Sequence, residues 1–320
     1  MAKLPKLTKV NNKNKKKKIM LLSDDLRMSS GVGTVSKNFV LGTIDKYDWV
    51  QIGGAIKHPE EGKVVDMNQS VREETGVKDA SLKIYPISGY GNQELIRTLI
   101  NIEKPDAIMH YTDPRFWVWL YQMEHEIRQN IPIFYYNIWD DLPYPRYNEF
   151  FYESSDLIMN ISKQTVNIVE QVARKKPRTD WDCTYIPHGI PEDSFFPIRD
   201  VSKKYTKFKR EVCQGKDYDF IVFWNNRNIR RKLPGDIILA YKTFCDGLPK
   251  EKSKKCLLLM HTAPRDDNGT DLPAVVRELC PEYDVIFSHQ RLEDEQLNML
   301  YNIADIQINL ASNEGFGLGT

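Results

Sequence analysis

Leu297-Asn-Met-Leu-Tyr-Asn-Ile-Ala-Asp-Ile-Gln-Ile-Asn-Leu310, followed by Ala311-Ser-Asn-Glu314-Gly-Phe-Gly-Leu-Gly-Thr320, is the stretch whose reading decides the fold. Its first part spaces apolar residues for an amphipathic helix, and residues 305–310 read as a buried strand. A glycine-rich turn opened by one carboxylate follows. A strand feeding such a turn leaves backbone N–H groups free to face an anion, as at a helix N-terminus. Glu314 then stands where it can accept hydrogen bonds from a ligand held at that turn.

Working outward, short apolar runs alternate with helical segments, the pattern of a parallel sheet flanked by helices. Strands are expected at 19–22, 49–52, 83–87, 107–111, 133–137, 157–161 and 183–186. Helices are expected at 31–41, 94–102, around Trp117 and Trp119, and at 165–173. Residues 187–191 make a turn, and the Lys/Arg-rich stretch 199–216 looks like a linker. A second series has strands at 219–224, 256–261, 285–288 and 305–310, with helices at 236–245 and 294–302. The expected division is a disordered Lys-rich tail at 1–17, a Rossmann-like domain at 18–195, a linker at 196–216 and a second Rossmann-like domain at 217–320.

A chain of 320 residues has room for two such domains. No apolar run reaches the roughly 20 residues needed to span a bilayer, and no apolar h-region follows the basic start. Cys183, Cys213, Cys245, Cys256 and Cys280 are scattered, odd in number and without a CxxC pair. That pattern argues against a structural zinc site and for reduced thiols, hence a cytoplasmic protein. The net charge of +1 hides an asymmetry. Residues 1–18 hold eight lysines and no acid, which leaves 37 basic against 44 acidic residues in the remainder, a formal −7. The tail reads either as a solubilising extension or as a contact to nucleic acid or an anionic surface.

A further basic cluster is Asn225-Asn-Arg-Asn-Ile-Arg-Arg-Lys232, directly after a second-domain strand and before a helix. A diphosphate is well served by one rigid fork donor and one compact cation, which Arg227 and Lys232 supply. Gly31-Val-Gly33 follows the first strand, but Ser36 stands where a dinucleotide fingerprint would need its third glycine. His110 ends a buried strand. Asp140 and Asp141 follow the next one, as an acceptor-activating pair or as a turn and helix cap. The stretch from Phe116 to Tyr152 is crowded with aromatics, of which Trp139 and the loop after it are the expected exposed contacts to an acceptor. Pro187-His188-Gly189 is set for a turn, with His188 a hinge and packing residue.

The sequence LYNIADIQINLASNEGFGL resembles the donor-site signature of retaining glycosyltransferases of family 4, which have the GT-B fold of two Rossmann-like domains facing across a cleft. Residues 227–232 are similar to that family's GR-x4-KG motif, with Asn226 and Leu233 in place of its two glycines, and 186–190 to its IPHG turn. His261-Thr-Ala-Pro-Arg-Asp-Asp-Asn-Gly-Thr-Asp-Leu272 resembles a second-domain loop near the nucleotide base. The resemblance implies that Arg227 and Lys232 neutralise the donor diphosphate. It implies that Glu314, Gly315, Phe316 and Gly317 orient sugar and phosphates, that His110 contacts the donor sugar, and that Gly31 and Gly33 let backbone approach the phosphate. In the family a second Glu follows eight positions after the first; Thr320 precedes that position, so we expect a piece of a longer chain with its second domain incomplete.

The function so implied is metal-independent, cofactor-free retaining transfer of a sugar from a nucleotide-diphospho-sugar co-substrate to a glycan, lipid, protein or modified nucleic-acid base. Glu314 and His110 are the candidate catalytic residues, and Asp140, Asp141 and Trp139 lie on the acceptor side. Two alternatives stand beside it. One is other GT-B chemistry, such as a sugar-nucleotide epimerase or a phosphorylase. The other is a non-catalytic nucleic-acid-binding protein that uses residues 1–18.

Overall fold

The computed structural model describes residues 15–28, 30–55, 57–173, 179, 182–317 and 319. Most of the expected tail lies outside these residues. Its last part is described and is not a tail. Lys16, Lys17 and Lys18 reach Asp79, Asp106 and Glu103 at 2.8, 2.7 and 2.8 Å, and the first strand begins at Lys17. Carboxylates on neighbouring segments draw the end of the lysine run onto the sheet. The chain divides into two compact units between Pro187 and His188, so 188–195 belong with the second unit and not the first.

The first unit is built on β1 (Lys17–Asp24), β2 (Tyr47–Ala55), β3 (Val65–Asp66), β4 (Leu82–Ser88), β5 (Ala107–Tyr111), β6 (Ile133–Asn137), β7 (Leu157–Asn160) and β8 (Cys183–Tyr185). They lie in the order β3-β4-β2-β1-β5-β6-β7-β8. Every neighbouring pair is parallel except the short edge pair β3–β4. The chain steps outward from β1 through β2 to β4, then returns to the other side of β1 as β5. Leu22 of β1 therefore lies between Ile52 and His110. That reversal is the topological switch point at which open α/β sheets bind ligands, beyond the carboxyl ends of the strands. All five residues of β5 are buried, as expected of a central parallel strand covered on both faces. Met20, Leu22, Ile52 and Ile108 pack with Trp117, Leu120 and Tyr121. Tyr135, Tyr152 and Ile158 pack with Ile168, Val169 and Val172 of the helix Lys163–Val172.

The second unit holds β9 (Phe220–Asn225), β10 (Cys256–His261), β11 (Asp284–Ser288) and β12 (Ile306–Gln307), all parallel, in the order β11-β10-β9-β12. The same reversal recurs, now between β9 and β12. The helices Pro234–Asp246 and Leu272–Leu279 join the core formed by Val222, Trp224 and Leu258. The helix Asp294–Ile303, opened by a capping box between Glu293 and Gln296, packs with Phe223 and Leu259.

Two expectations are corrected here. The stretch 196–216 is not a bare linker: it holds the helix Lys203–Val212, capped by Ser202, whose side chain accepts from the Tyr205 N–H. Tyr205, Phe208 and Val212 recur at helical spacing among the basic residues and pack against the core of Phe223, Leu259 and Leu300. Phe196 and Ile198 donate their N–H groups to Asn298 and Asn302. The strand expected at 305–310 is only Ile306–Gln307, because after the Ile308 N–H bonds Phe223 O the chain leaves β9 and turns towards Arg231. All five cysteines are buried and unbridged.

Candidate functional site

In the second unit, the loops that leave β9 and β12 flank the reversal and are laced together. Past β9 the chain makes a 3₁₀ turn at Arg230–Lys232, and Pro234 opens the next helix. Between them Leu233 adopts the left-handed conformation (φ 51°, ψ 47°). This is the position at which the GR-x4-KG pattern has glycine. Leucine there costs about 1–2 kcal/mol relative to a right-handed conformation. From the other side, the Ser312 N–H donates to Arg231 O at 2.9 Å, and Arg231 Nη1 donates to Asn313 O at 2.8 Å, across 82 residues of sequence. Tyr301 holds the turn from below: its hydroxyl accepts from Asn225 Nδ2 at 2.8 Å and donates to Gly319 O at 3.3 Å.

This lacing brings Glu314 onto the basic cluster. Its Oε2 forms an ion pair with Lys232 Nζ and lies 3.8 Å from Arg231 Nη1. Its Oε1 accepts from Asn309 Nδ2 at 3.4 Å. The Lys232 side chain is only 6 % exposed and that of Glu314 23 %. The buried ammonium thus faces a carboxylate as its counter-charge. Gly317 takes φ 75°, a conformation that glycine adopts freely. The Phe316 ring lies 5.1 Å from that of His188.

Arg227 occupies the other edge of the same loop, 64 % exposed, with Nε and Nη2 donating to Asp266 at 2.9 and 3.3 Å. Hydrogen bonds from this guanidinium hold the Asp266 carboxyl below the usual carboxylate range. The loop that carries Asp266 is pinned by the fully buried Asn228. Asn228 Nδ2 donates to Ala263 O, Pro264 O and Thr270 O, at 2.7 Å in the last case, and its Oδ1 accepts from the Thr270 N–H at 3.1 Å. Gly269 is required for this approach, since a Cβ there would lie 2.1 Å from Asn228 O. Arg227, Arg231 and Lys232 thus share one loop, with Asp266 against Arg227 and Glu314 against Lys232; guanidinium and ammonium groups gathered in this way are the donor types that bind anions. Reading the sequence missed Asn228 and Asp266; the signal for the loop they fix is Asp266-Asp-Asn-Gly-Thr270, a turn whose glycine has a steric duty.

In the first unit the Gly31–Gly33 loop opens the helix Gly31–Leu41, capped by Ser30. Only Gly33 is sterically fixed: a Cβ would meet Met28 O at 2.5 Å, whereas nothing lies within 4 Å of one at Gly31. Ser30 Oγ accepts from the Gly33 N–H and donates to Asp24 Oδ2, and burial raises the Asp24 carboxyl despite that bond. Beside it, Asp25 is held by Arg27 Nε and Nη2 at 3.0 and 2.7 Å and by His58 Nε2 at 3.0 Å. Burial pushes Asp25 up, but the bonds from Arg27 and His58 outweigh it and its carboxyl ends lower than usual. Reading the sequence singled out neither aspartate.

His110 is placed otherwise than its expected contact with a donor sugar requires. It has no exposed surface, stacks on Tyr135 at 5.1 Å, touches Trp117, and shares a 2.7 Å hydrogen bond between Nδ1 and the Tyr121 hydroxyl. Burial lowers its pKa to about 3, so the ring is neutral. Three rings, of Trp117, Tyr121 and Tyr135, surround it, and in this arrangement it packs the core. Trp139 lies under the Arg115 guanidinium at 5.0 Å and donates through Nε1 to Asp141 O; Gln164 Nε2 donates to Asp140 O. The backbone of both aspartates ties down this loop, and neither caps a helix, the next turn starting after Pro145 without a side-chain cap.

Among the described residues no cluster of three or more His, Cys, Asp or Glu is placed to hold a metal ion, and no helix is long and apolar enough to cross a membrane.

No protein-family model and no curated protein matches the sequence. Solved structures do match the fold. An α,α-trehalose 6-phosphate synthase from Burkholderia multivorans superposes with a TM-score of 0.64 over 94 % of this chain and 79 % of its own, at 11 % identity. A trehalose-6-phosphate structure from E. coli bound with UDP-2-fluoro glucose gives 0.63 over 93 % and 79 %, at 13 % identity. A glycosyltransferase from Rickettsia africae gives 0.60 over 92 % and 73 %, at 16 % identity. The fold is that of the GT-B glycosyltransferases, as expected. The narrower family 4 assignment is not carried by these likenesses.

Proposed function

We propose that this chain is a retaining glycosyltransferase that takes a sugar from a nucleotide-diphospho-sugar, without a metal. The observation that carries the reading is the meeting of Lys232 with Glu314 at the reversal of the second sheet, with Arg227 and Arg231 on the same loop. Arg227, Lys232 and Glu314 are the residues that the family 4-like motifs single out, and they lie at the kind of place where α/β sheets bind nucleotides. Arg227 and Lys232 stabilise charge that develops on the leaving diphosphate, the step at which fixed donors lower a barrier most. Glu314 and the backbone of Gly315, Phe316 and Gly317 orient the donor sugar. In the first unit, Asp140, Asp141 and Trp139 are the acceptor-side residues of this reading, and Gly33 holds the loop after β1 close to the sheet. His110 supports that unit through its packing.

The neighbour bound with UDP-2-fluoro glucose makes uridine-diphospho-sugars the first donors to try. The purified protein is incubated with UDP-, GDP- and ADP-sugars without added metal, and nucleoside diphosphate release is followed by mass spectrometry. Release from one base series, abolished in Arg227→Ala, is the expected result. Free epimer without release, or sugar phosphate formed only with added phosphate, would replace transfer by one of the other GT-B chemistries.

A further inference from the structure

We infer that Asp266 is a positioning residue for Arg227, holding one fork of its guanidinium so that the other is presented to the diphosphate of a donor. This rests on the donor site proposed above and adds to it a residue from a different loop. A guanidinium has two forks of parallel N–H groups. The lateral one is formed by Nε and Nη2, the terminal one by Nη1 and the remaining N–H of Nη2. Asp266 takes the lateral fork, with Oδ2 on Nε at 2.9 Å and Oδ1 on Nη2 at 3.3 Å. The terminal fork likewise presents two parallel N–H groups, a geometry that matches two phosphate oxygens.

Asp266 is itself fixed. Its Oδ1 accepts from the Asn268 N–H and its backbone O from the Gly269 N–H, both at 2.9 Å. Asn228 binds Ala263 and Pro264 before it and Thr270 after it. The neighbour of Arg227 in sequence thus holds the loop that aims Arg227. With its side chain 64 % exposed, Arg227 has little packing to restrict its rotamers, whereas Asp266 is 13 % exposed. Without Asp266 the ordering of a long, flexible side chain falls on ligand binding.

Two effects of Asp266 oppose each other. Its charge repels a diphosphate, and its hydrogen bonds hold the group that attracts one. The repulsion acts near solvent and is screened over about 8 Å at physiological salt. The ordering of Arg227 depends far less on salt. Positioning therefore prevails at physiological ionic strength, and the advantage narrows as salt is lowered.

The test is calorimetric titration with UDP, GDP and ADP at about 0.15 M salt, using the wild-type chain, Asp266→Ala, Asp266→Glu, Arg227→Ala and the Asp266→Ala/Arg227→Ala double variant. Asp266→Ala should weaken binding of the preferred nucleotide about tenfold, the scale of one charged hydrogen bond. Asp266→Glu should restore most of it, and Asp266→Ala should add nothing in the Arg227→Ala background. The Arg227 Nε–Hε resonance should be sharp in the ligand-free wild type and in Asp266→Glu, and lost in Asp266→Ala. Unchanged or tighter binding by Asp266→Ala, or an equal loss in the Arg227→Ala background, overturns the inference and leaves the donor site standing. Wild-type affinity in Arg227→Ala, or no binding of any of the three nucleotides by the wild type, overturns the donor site and the inference with it.

Discussion

Lys232 and Glu314 form an ion pair across the two loops that flank the reversal of the second sheet, with the ammonium almost entirely buried. Neither the basic cluster nor the glycine-rich turn makes a site alone. The pair also gives Glu314 a second duty beside any sugar contact, that of counter-charge to Lys232.

Removing Arg227, whose side chain is exposed, should separate chemistry from folding. Arg227→Ala and Lys232→Ala are each expected to lower donor cleavage by about 10²–10³-fold, the usual effect of deleting one transition-state donor. Steady-state release of nucleoside diphosphate measures this, and circular dichroism checks that Arg227→Ala, whose side chain is exposed, keeps the fold. Glu314→Gln should instead cost stability, about 1–2 kcal/mol, because it leaves Lys232 facing a neutral amide in a nearly buried place. An unshifted urea midpoint for that variant would remove the counter-charge role.

Gly31 and Gly33 should part company on substitution. Gly33→Ala pushes a methyl group into Met28 O at 2.5 Å and is expected to destabilise the first unit by about 1–3 kcal/mol. Gly31→Ala meets open space at the start of a helix and should be neutral or slightly stabilising. Paired urea unfolding curves decide it; equal effects would mean that the close approach at Gly33 is not tight.

Asn228 should not tolerate its isostere. In Asn228→Asp a carboxylate oxygen would face the Ala263, Pro264 and Thr270 carbonyls that now receive the amide N–H groups. We expect at least the loss from Asn228→Ala, about 1–3 kcal/mol for stranded buried groups. Thermal melting at neutral pH compares the two, and Asn228→Asp melting above Asn228→Ala would contradict this geometry.

His110 makes stability depend on pH in a defined window. Its folded pKa, about 3, lies below the ordinary value of 6.5, so the unfolded chain binds the extra proton between those values. The stabilisation from keeping the ring neutral is complete above about pH 6.5 and declines as pH falls towards 3. At about 1.36 kcal/mol per pH unit, going from pH 6.5 to 5 removes about 2 kcal/mol. His110→Phe keeps a ring on Tyr135 and lacks the titration, so its urea midpoint should fall less over that interval than the wild type's. Parallel falls would place the wild-type pH dependence elsewhere.

Much of this fold was legible in the sequence because buried parallel strands announce themselves. The runs 107–111, 133–137 and 256–261 are strands with those bounds, and the helix 31–41 begins and ends as read. The helix Lys203–Val212 was missed because its three apolar residues are diluted by lysines and arginines, so composition spoke louder than spacing. The candidate site was legible where charge and glycine mark a loop, at Arg227, Lys232 and Glu314. Asp266 and Asn228 escaped because their work is to bridge two loops, and nothing local in sequence records that pairing. His110 was correctly set at the end of a buried strand. The burial of its ring depends on Trp117, Tyr121 and Tyr135, which tertiary packing alone brings to it.

The two-residue strand β12 has a consequence for local stability. Its ladder to β9 spans only Ile306 opposite Val222 and Gln307 opposite Phe223, reinforced by flanking bonds from the Asp305 and Ile308 N–H groups. Opening so short a ladder takes far less free energy than unfolding the unit. An opening that carried Glu314 off Lys232 would dismantle the proposed donor site, so a nucleotide that binds only the closed form must hold residues 305–317 shut by mass action. Amide hydrogen exchange in this segment would then slow in proportion to nucleotide occupancy, while that of β9 and β10 stayed fixed. The shortest strand in the sheet would report on the ligand more sensitively than the long ones that support it.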